Sequence, residues 1–145
     1  MLAKNEEEIG ELYKLYAIKL PQYKDLWLEL ADEEVTHAKW IRDFAKGIDK
    51  GSIFLNKKRF PEEAFQTYHE YLQGSMSRAQ LKGIEPMQAF TVALYIEQSL
   101  IELKFWEVID TGSEEFDKVA LRLSEATTGH IKKIGDYWAK VKDRK

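Results

Sequence analysis

Glutamate and histidine residues at helical spacing are the side chains in this sequence most able to do chemistry. Glu34 and His37 are three residues apart, so a helix with about 3.6 residues per turn presents both side chains from adjacent turns to one ion. Glu6, Glu97 and His130 lie in three other segments of similar pattern. Ligation by carboxylates and imidazoles suits iron or manganese, and zinc also accepts these ligands.

The five residues fall within apolar stripes that a helical bundle would bury. On one long helix the stripe consists of Trp27, Leu30, Glu34, His37, Ile41 and Phe44. On the last helix it consists of Ala120, Leu123, Thr127, His130, Ile134, Tyr137 and Val141. Buried carboxylates are costly unless cations or a metal accompany them, and no Lys or Arg lies at the same level. The pattern therefore indicates a bound divalent metal, with carboxylates from neighbouring helices able to bridge a second ion.

Proline and glycine residues divide the chain into helices. The predicted long helices run from about Asn5 or earlier to Pro21, from Gln22 to Lys46, from Pro86 to Asp110 and from Glu114 to Lys142. A shorter helix begins at Pro61 and ends near Gly74, and a further helical turn is predicted in SRAQLK. The sequence predicts one all-α domain over 1–145, an antiparallel four-helix bundle. Its hairpins at 1–46 and 86–145 are joined by a long, partly helical crossover at 47–85.

The hairpin geometry predicts where the polar residues meet. Glu6 and Glu34 lie symmetrically about the Leu20–Pro21 turn, and Glu97 and Thr127 lie symmetrically about Gly112. Residues equidistant from a turn become neighbours in an antiparallel hairpin, here about 14 residues or ~21 Å from each turn. The segments LADEEVTHAKWI and LSEATTGHIKKI also align as a weak internal repeat. We therefore expect Glu6, Glu34, His37, Glu97 and His130 to converge near the centre of the bundle.

Most of the chain resembles the ferritin-like superfamily, and within it the rubrerythrin-like branch. The resemblance lies in EEEIGELYKLYA, LADEEVTHAKWI, YIEQSLIELKFW and the His130 segment, and it is weakest at 47–85. It implies a ferritin-like di-iron bundle, in which two helices each supply one Glu and two each supply Glu-x-x-His. It further implies that Glu6 and Glu97 are the single-Glu ligands, that Glu34 and His37 form one paired motif, and that His130 belongs to the other. The implied activity is oxidoreductase chemistry on dioxygen or peroxide.

Thr127 stands where the family pattern has the second paired Glu. Four carboxylates balance two divalent ions, whereas three leave a positive charge that hydroxide or a substrate anion would have to balance. The site is therefore mononuclear, asymmetric with an open position, or vestigial. In the last case the chain is a non-catalytic bundle that serves as a metal-binding or interaction module. Aromatic residues on the apolar stripes could then support a homodimer.

Less specific interpretations exist for several of these residues. Glu34 and His37 would also make a satisfied polar pair in a core without metal, and Glu6 would suit the first turn of a helix that began at Asn5. His69 is expected at the surface or as a satisfied core residue, and Tyr13 and Tyr16 are expected to be core aromatics. The other acids are expected to be solvated, namely Glu7, Glu8, Glu11 and Glu33.

Composition narrows the class of protein. The chain has 145 residues with a net charge of -3, which argues against a general nucleic-acid-binding protein. It contains no Cys, which excludes thiolate-bound iron within it, so a rubrerythrin-like enzyme would take electrons from a separate protein. No apolar run approaches the ~20 residues of a membrane span, and the first ten residues do not resemble a signal peptide. We expect a cytoplasmic protein.

Overall fold

A computed structural model describes residues 2–49, 54–55, 62–102, 109–110 and 114–143. The helices are α1 (Leu2–Lys19), α2 (Lys24–Asp49), α3 (Glu62–Lys82), α4 (Pro86–Glu102) and α5 (Glu114–Asp143). Two short strands, β1 (Phe54–Leu55) and β2 (Ile109–Asp110), pair in antiparallel fashion. Helix α1 packs along α2, α4 packs along α5, and α2 contacts α5, so these four helices form the bundle. The predicted all-α bundle is confirmed.

The turn between α1 and α2 is tight because Pro21 cannot continue the helix. A single 3-10 turn, Pro21–Tyr23, links the two helices, and the Tyr23 amide donates to the Leu20 carbonyl at 2.9 Å. Proline suits the first position of such a turn because it has no N–H to satisfy. The turn fixes the register of the hairpin, and this register places Glu6 of α1 against Glu34 of α2.

An aromatic cluster fills the core of the bundle next to the buried Glu and His side chains. The ring of Trp27 lies 5.3 Å from Tyr13, 5.0 Å from Tyr16 and 5.2 Å from Phe90, measured between ring centroids. All four side chains are fully buried. Large rings contribute much of the apolar burial of a core, and tilted or offset contacts of this kind are favourable. Tyr13 and Tyr16 are thus core aromatics, as predicted.

The crossover helix differs from its prediction. Helix α3 does not end near Gly74 but continues to Lys82. The predicted boundary is wrong because the buried stripe passes through this point, with Leu72 on one side and Ser75 and Ala79 on the other. A glycine inside a helix costs only about 1 kcal/mol, which burial of that stripe outweighs. The helix ends before Gly83, whose φ of 72° suits a residue without a Cβ.

Two other helix boundaries differ from the prediction. Helix α2 continues through Gly47 to Asp49, and α4 ends at Glu102 rather than Asp110. Asp110 instead lies in β2, where it pairs with Phe54, so this residue is not the end of a helix. The predicted turn at 111–113 and the side chains of Phe44 and Ala120 lie outside what the structure describes. Among the described residues, no helix is both long and apolar enough to cross a membrane.

Candidate metal centre

Each helix of the bundle contributes at least one buried polar side chain to a single level of the core. Glu6 comes from α1, Glu34 and His37 from α2, Glu97 from α4 and His130 from α5. All five are buried, with exposed fractions between 0% for Glu97 and 4% for His37. Because α1 begins at Leu2, Glu6 lies beyond the first turn, and its burial does not fit the interpretation as a solvated acid at a helix start.

The five residues form two groups that share Glu34. Glu6, Glu34 and His37 make the first group, and Glu34, Glu97 and His130 make the second. In each group one potential ligand atom per residue lies within 4.8 Å of the others. The structure thus brings together all the predicted ligand residues, while their ligation of a metal stays a prediction.

The two oxygens of Glu34 face different histidines. In the first group His37 Nδ1 lies 3.3 Å from Glu34 Oε2 and 3.9 Å from Glu6 Oε2. In the second group His130 Nδ1 lies 3.1 Å from Glu34 Oε1 and 3.5 Å from Glu97 Oε1. The two imidazole rings stack with their centroids 5.4 Å apart. Glu34 is therefore placed as a carboxylate that bridges the two groups.

Several of these buried atoms have no hydrogen-bond partner among the described residues: Glu6 Oε2, Glu34 Oε1, Glu97 Oε2 and His130 Nδ1. The Nδ1 atom of His130 is close to two carboxylates, but it is not aligned for a hydrogen bond to either. Buried acceptors left in this state are costly unless a cation binds them. No described Lys or Arg forms an ion pair with any of the five residues. The donor set and its orphaned atoms therefore fit divalent metal.

The pKa values of the histidines and of Glu6 show that the buried carboxylates favour bound positive charge at the centre. Burial alone would lower the pKa of His37, but the hydrogen bond to Glu34, the proximity of Glu6 and the negative charge of both carboxylates outweigh it and raise the pKa to about 9. For His130 the contacts with Glu34 and Glu97 likewise outweigh burial and raise the pKa to about 11. Burial, followed by the charge of Glu34, raises the pKa of Glu6 well above its ordinary value. Without metal, protons take the place of the cation.

Two tyrosines support the α4 side of the centre. The Tyr13 hydroxyl donates a hydrogen bond to Glu97 Oε1 at 2.7 Å. Burial and the charge of Glu97 raise the pKa of Tyr13 well above its ordinary value, so the phenol stays a neutral donor. From α3, Tyr68 donates to the backbone carbonyl of Ile96 at 3.2 Å, which anchors the crossover helix next to Glu97. Sequence reasoning identified Tyr13 as a core residue but missed its hydrogen bond to Glu97.

Thr127 supplies no ligand to either group. Its side chain is buried, and its hydroxyl donates to the Leu123 carbonyl at 2.9 Å. This bond to the preceding turn is the usual one for threonine inside a helix. The position where the resemblance implies a Glu therefore holds a hydroxyl that already donates its proton to a backbone carbonyl.

Two acids predicted to be solvated have structural contacts instead. Glu33 contacts Nε2 of His130 from the neighbouring helix, although its side chain is 44% exposed. Glu8 is buried and lies 2.7 Å from His69 Nδ1, so His69 is a partly buried residue that links α3 to α1. The expectation for Glu8 was wrong, and Glu33 is partly exposed but also contacts a neighbour, because helical periodicity does not show which flank of a helix meets another helix. Glu7 pairs with exposed Arg42, and Glu11 is exposed.

Comparison with known proteins agrees with this arrangement. The rubrerythrin family profile matches residues 3–99, which is more than half of the chain. The matched segment includes Glu6, Glu34, His37 and Glu97, whereas Thr127 and His130 lie beyond it. No curated protein and no solved structure matched the chain. The chain belongs to the rubrerythrin family.

Proposed function

We propose that this member of the rubrerythrin family binds iron at the bundle centre and is an oxidoreductase that reduces peroxide or dioxygen. The observation that carries the proposal is the pair of buried groups, Glu6–Glu34–His37 and Glu34–Glu97–His130, with Glu34 in common. Two adjacent donor sets that share one carboxylate suit two metal ions held side by side. Manganese would accept the same ligands, as would zinc, but zinc has no redox chemistry.

Each group would hold one ion with two carboxylates and one imidazole, and Glu34 would serve both. Iron bound there would supply the electrons that reduce the O–O bond of the substrate. The protein's own contribution is to hold the ligands in a site shielded from bulk solvent, since every one of them is buried. The Tyr13 hydroxyl, 2.7 Å from Glu97 Oε1, restrains the rotation of that carboxylate and keeps a proton at this oxygen.

The charges at the centre leave room for an anion. The three carboxylates of the two groups carry -3, against +4 for two divalent ions, which leaves +1. Thr127 does not compensate, since its hydroxyl is neutral and bonded to Leu123. The proposal therefore includes one further anionic ligand, such as hydroxide or the substrate itself. Peroxide, which becomes more acidic beside cations, fits this requirement.

Electrons for repeated turnover would come from outside these 145 residues. Rubredoxin-type iron needs four thiolates, and this sequence contains no cysteine. We propose a separate redox protein as the electron donor. The alternative is a single ferroxidase step, in which Fe(II) is itself the reductant that is consumed.

The test is anaerobic Fe(II) loading of metal-free protein, followed by stopped-flow addition of hydrogen peroxide or dioxygen. We expect one to two ions per chain and oxidation much faster than that of free Fe(II). Glu34→Gln is the loss-of-function variant, and Glu11→Gln is the matched control because Glu11 lies on α1 but is exposed. Fewer than about 0.2 ions per chain after loading would rule out the proposal.

Thr127 supports a second candidate, a bundle that binds metal without turnover. A site that lacks one family carboxylate can keep an ion and lose the reaction. One tightly bound ion per chain, with Fe(II) that stays reduced after addition of either oxidant, would favour this candidate over the enzyme.

A further inference from the structure

Both ring nitrogens of His130 contact carboxylates of helix α2. Nδ1 faces the centre and lies 3.1 Å from Glu34 Oε1. Nε2 faces outward and contacts Glu33 Oε2. His130 is buried, whereas the Glu33 side chain is 44% exposed, so Glu33 reaches from the surface of α2 to the outer edge of the ring.

The chemistry of this contact determines which nitrogen is free to bind metal. An ionised carboxylate can only accept hydrogen bonds, so the Nε2 atom beside Glu33 carries the proton. The ring can then lose only its Nδ1 proton to a metal, and Nδ1 is the atom that faces Glu34 and Glu97. A histidine ligand usually donates its other N–H to such a partner, which fixes the orientation of the ring.

The two histidines, His37 and His130, differ in which helices supply the carboxylates next to their ring nitrogens. His37 has a carboxylate three residues earlier on its own helix, since Glu34 lies 3.3 Å from its Nδ1. The corresponding residue before His130 is Thr127, which bonds to Leu123 instead. His130 therefore has no carboxylate from its own turn of α5, and α2 provides carboxylates to both of its nitrogens.

We propose that Glu33 is a positioning residue for His130, which holds the ring with Nε2 protonated so that Nδ1 serves as the metal donor of the second group. This inference rests on the proposed metal site. It assigns to Glu33 an effect on metal affinity, and the Glu33 carboxylate, whose side chain is 44% exposed, remains partly hydrated.

The chain offers a matched control one turn away. Glu29 also reaches from α2 to α5, where it lies 2.5 Å from Lys133, and its side chain is 55% exposed. Glu29→Gln removes an acidic α2–α5 contact of similar exposure without touching His130. A general loss of attraction between the two helices would therefore affect the Glu29 and Glu33 variants alike.

The experiment measures Zn(II) affinity by chelator competition on the full chain, for wild type, Glu33→Leu, Glu33→Gln and Glu29→Gln. Zn(II) is diamagnetic, so long-range 1H–15N NMR of the same samples reports which nitrogen of His130 keeps its proton. We expect Glu33→Leu to weaken binding of one ion about 10–100-fold and to broaden or shift the Nε2–H signal. Glu33→Gln retains an acceptor oxygen, so it should lose less Zn(II) affinity than Glu33→Leu. Glu29→Gln should bind Zn(II) as tightly as wild type.

Each outcome decides the proposal. If wild type binds Zn(II) and Glu33→Leu binds it equally well with an unchanged His130 signal, the positioning role is wrong while the metal site stands. Equal losses in the Glu29 and Glu33 variants would also overturn it, because the effect would then belong to helix packing. Absence of Zn(II) binding by wild type would overturn the metal site and this inference together.

Discussion

Replacing Thr127 with Glu would supply the carboxylate that the resemblance to di-iron bundles implies at this position. Thr127 is 1% exposed and lies three residues before His130, the same spacing that separates Glu34 from His37. With two divalent ions bound, the three carboxylates of the centre leave a charge of +1, and a fourth would bring it to 0. The added charge should therefore lower the stability of the metal-free protein and raise its affinity for metal, and the variant tests both effects.

The expected magnitudes follow from burial. Without metal, an uncompensated buried carboxylate costs about 3–5 kcal/mol, and the protonated His37 and His130 nearby reduce this to the lower end. A loss of about 3 kcal/mol lowers the melting temperature of a chain of this size by roughly 10 °C. With metal, Coulomb attraction of about 4 kcal/mol at ~4 Å is largely offset by desolvation. A net gain of about 1.4 kcal/mol would tighten binding of the second ion about tenfold.

The assay combines thermal unfolding with anaerobic Mn(II) or Fe(II) titration and metal analysis. Thr128→Glu is the matched control, because Thr128 makes the same bond to the preceding turn, 3.0 Å to the Ser124 carbonyl, but is exposed. It should change stability by no more than about 0.5 kcal/mol and leave metal binding unaltered. A folded Thr127→Glu protein with unchanged affinity and stoichiometry would refute the alignment of Thr127 with a ligand position. An equal gain in Thr128→Glu would refute the role of burial.

Three further predictions test the centre and the crossover. Glu34→Gln removes the residue that both groups share, so bound metal should fall to near zero, whereas Glu6→Gln should retain about one ion per chain; equal stoichiometries in desalted samples would contradict the shared role. The pKa values of His37 and His130 are raised from 6.5 to about 9 and about 11, so their stabilisation of the metal-free fold is complete below about pH 6.5. That stabilisation should be lost as the pH rises through 9 towards 11, and a flat profile in chemical unfolding would disprove it. Leu72→Ala should cost about 2–5 kcal/mol because Leu72 is 1% exposed, and a loss well below 1 kcal/mol would show that α3 is not part of the core.

Helical periodicity explains how much of the fold the sequence predicts. Apolar residues at intervals of three and four mark the buried faces of the bundle helices, and Trp27 and Ile134 lie buried as that pattern requires. The symmetry of Glu6 and Glu34 about the Leu20–Pro21 turn depends only on the position of the turn and the rise of a helix. It therefore predicts their proximity without any knowledge of side-chain packing.

Contacts between the flanks of helices were not predictable in the same way. Glu33 lies about 100° around α2 from Glu34, and that flank is solvated or meets α5 depending on how the two hairpins pack. The continuation of α3 past Gly74 could not be predicted from the sequence for a related reason. Its stripe contains Tyr68, Leu72 and Ser75, and their burial depends on the face that α1 and α4 present to them. Which nitrogen of His130 faces the centre likewise depends on tertiary contacts.

The two groups of the centre differ because α2 supplies two of the potential ligand residues and α5 supplies one. Glu34 and His37 come from one helix, and Glu6 joins them across a hairpin whose turn fixes its register. The second group instead joins His130 to carboxylates of α2 and α4, without a carboxylate from its own helix. Its geometry therefore changes whenever α2 and α5 move relative to one another, while that of the first group does not. If the centre binds two ions, the one held by the first group should for this reason bind more tightly, and coordination by the second group should be the one that changes when an anion joins.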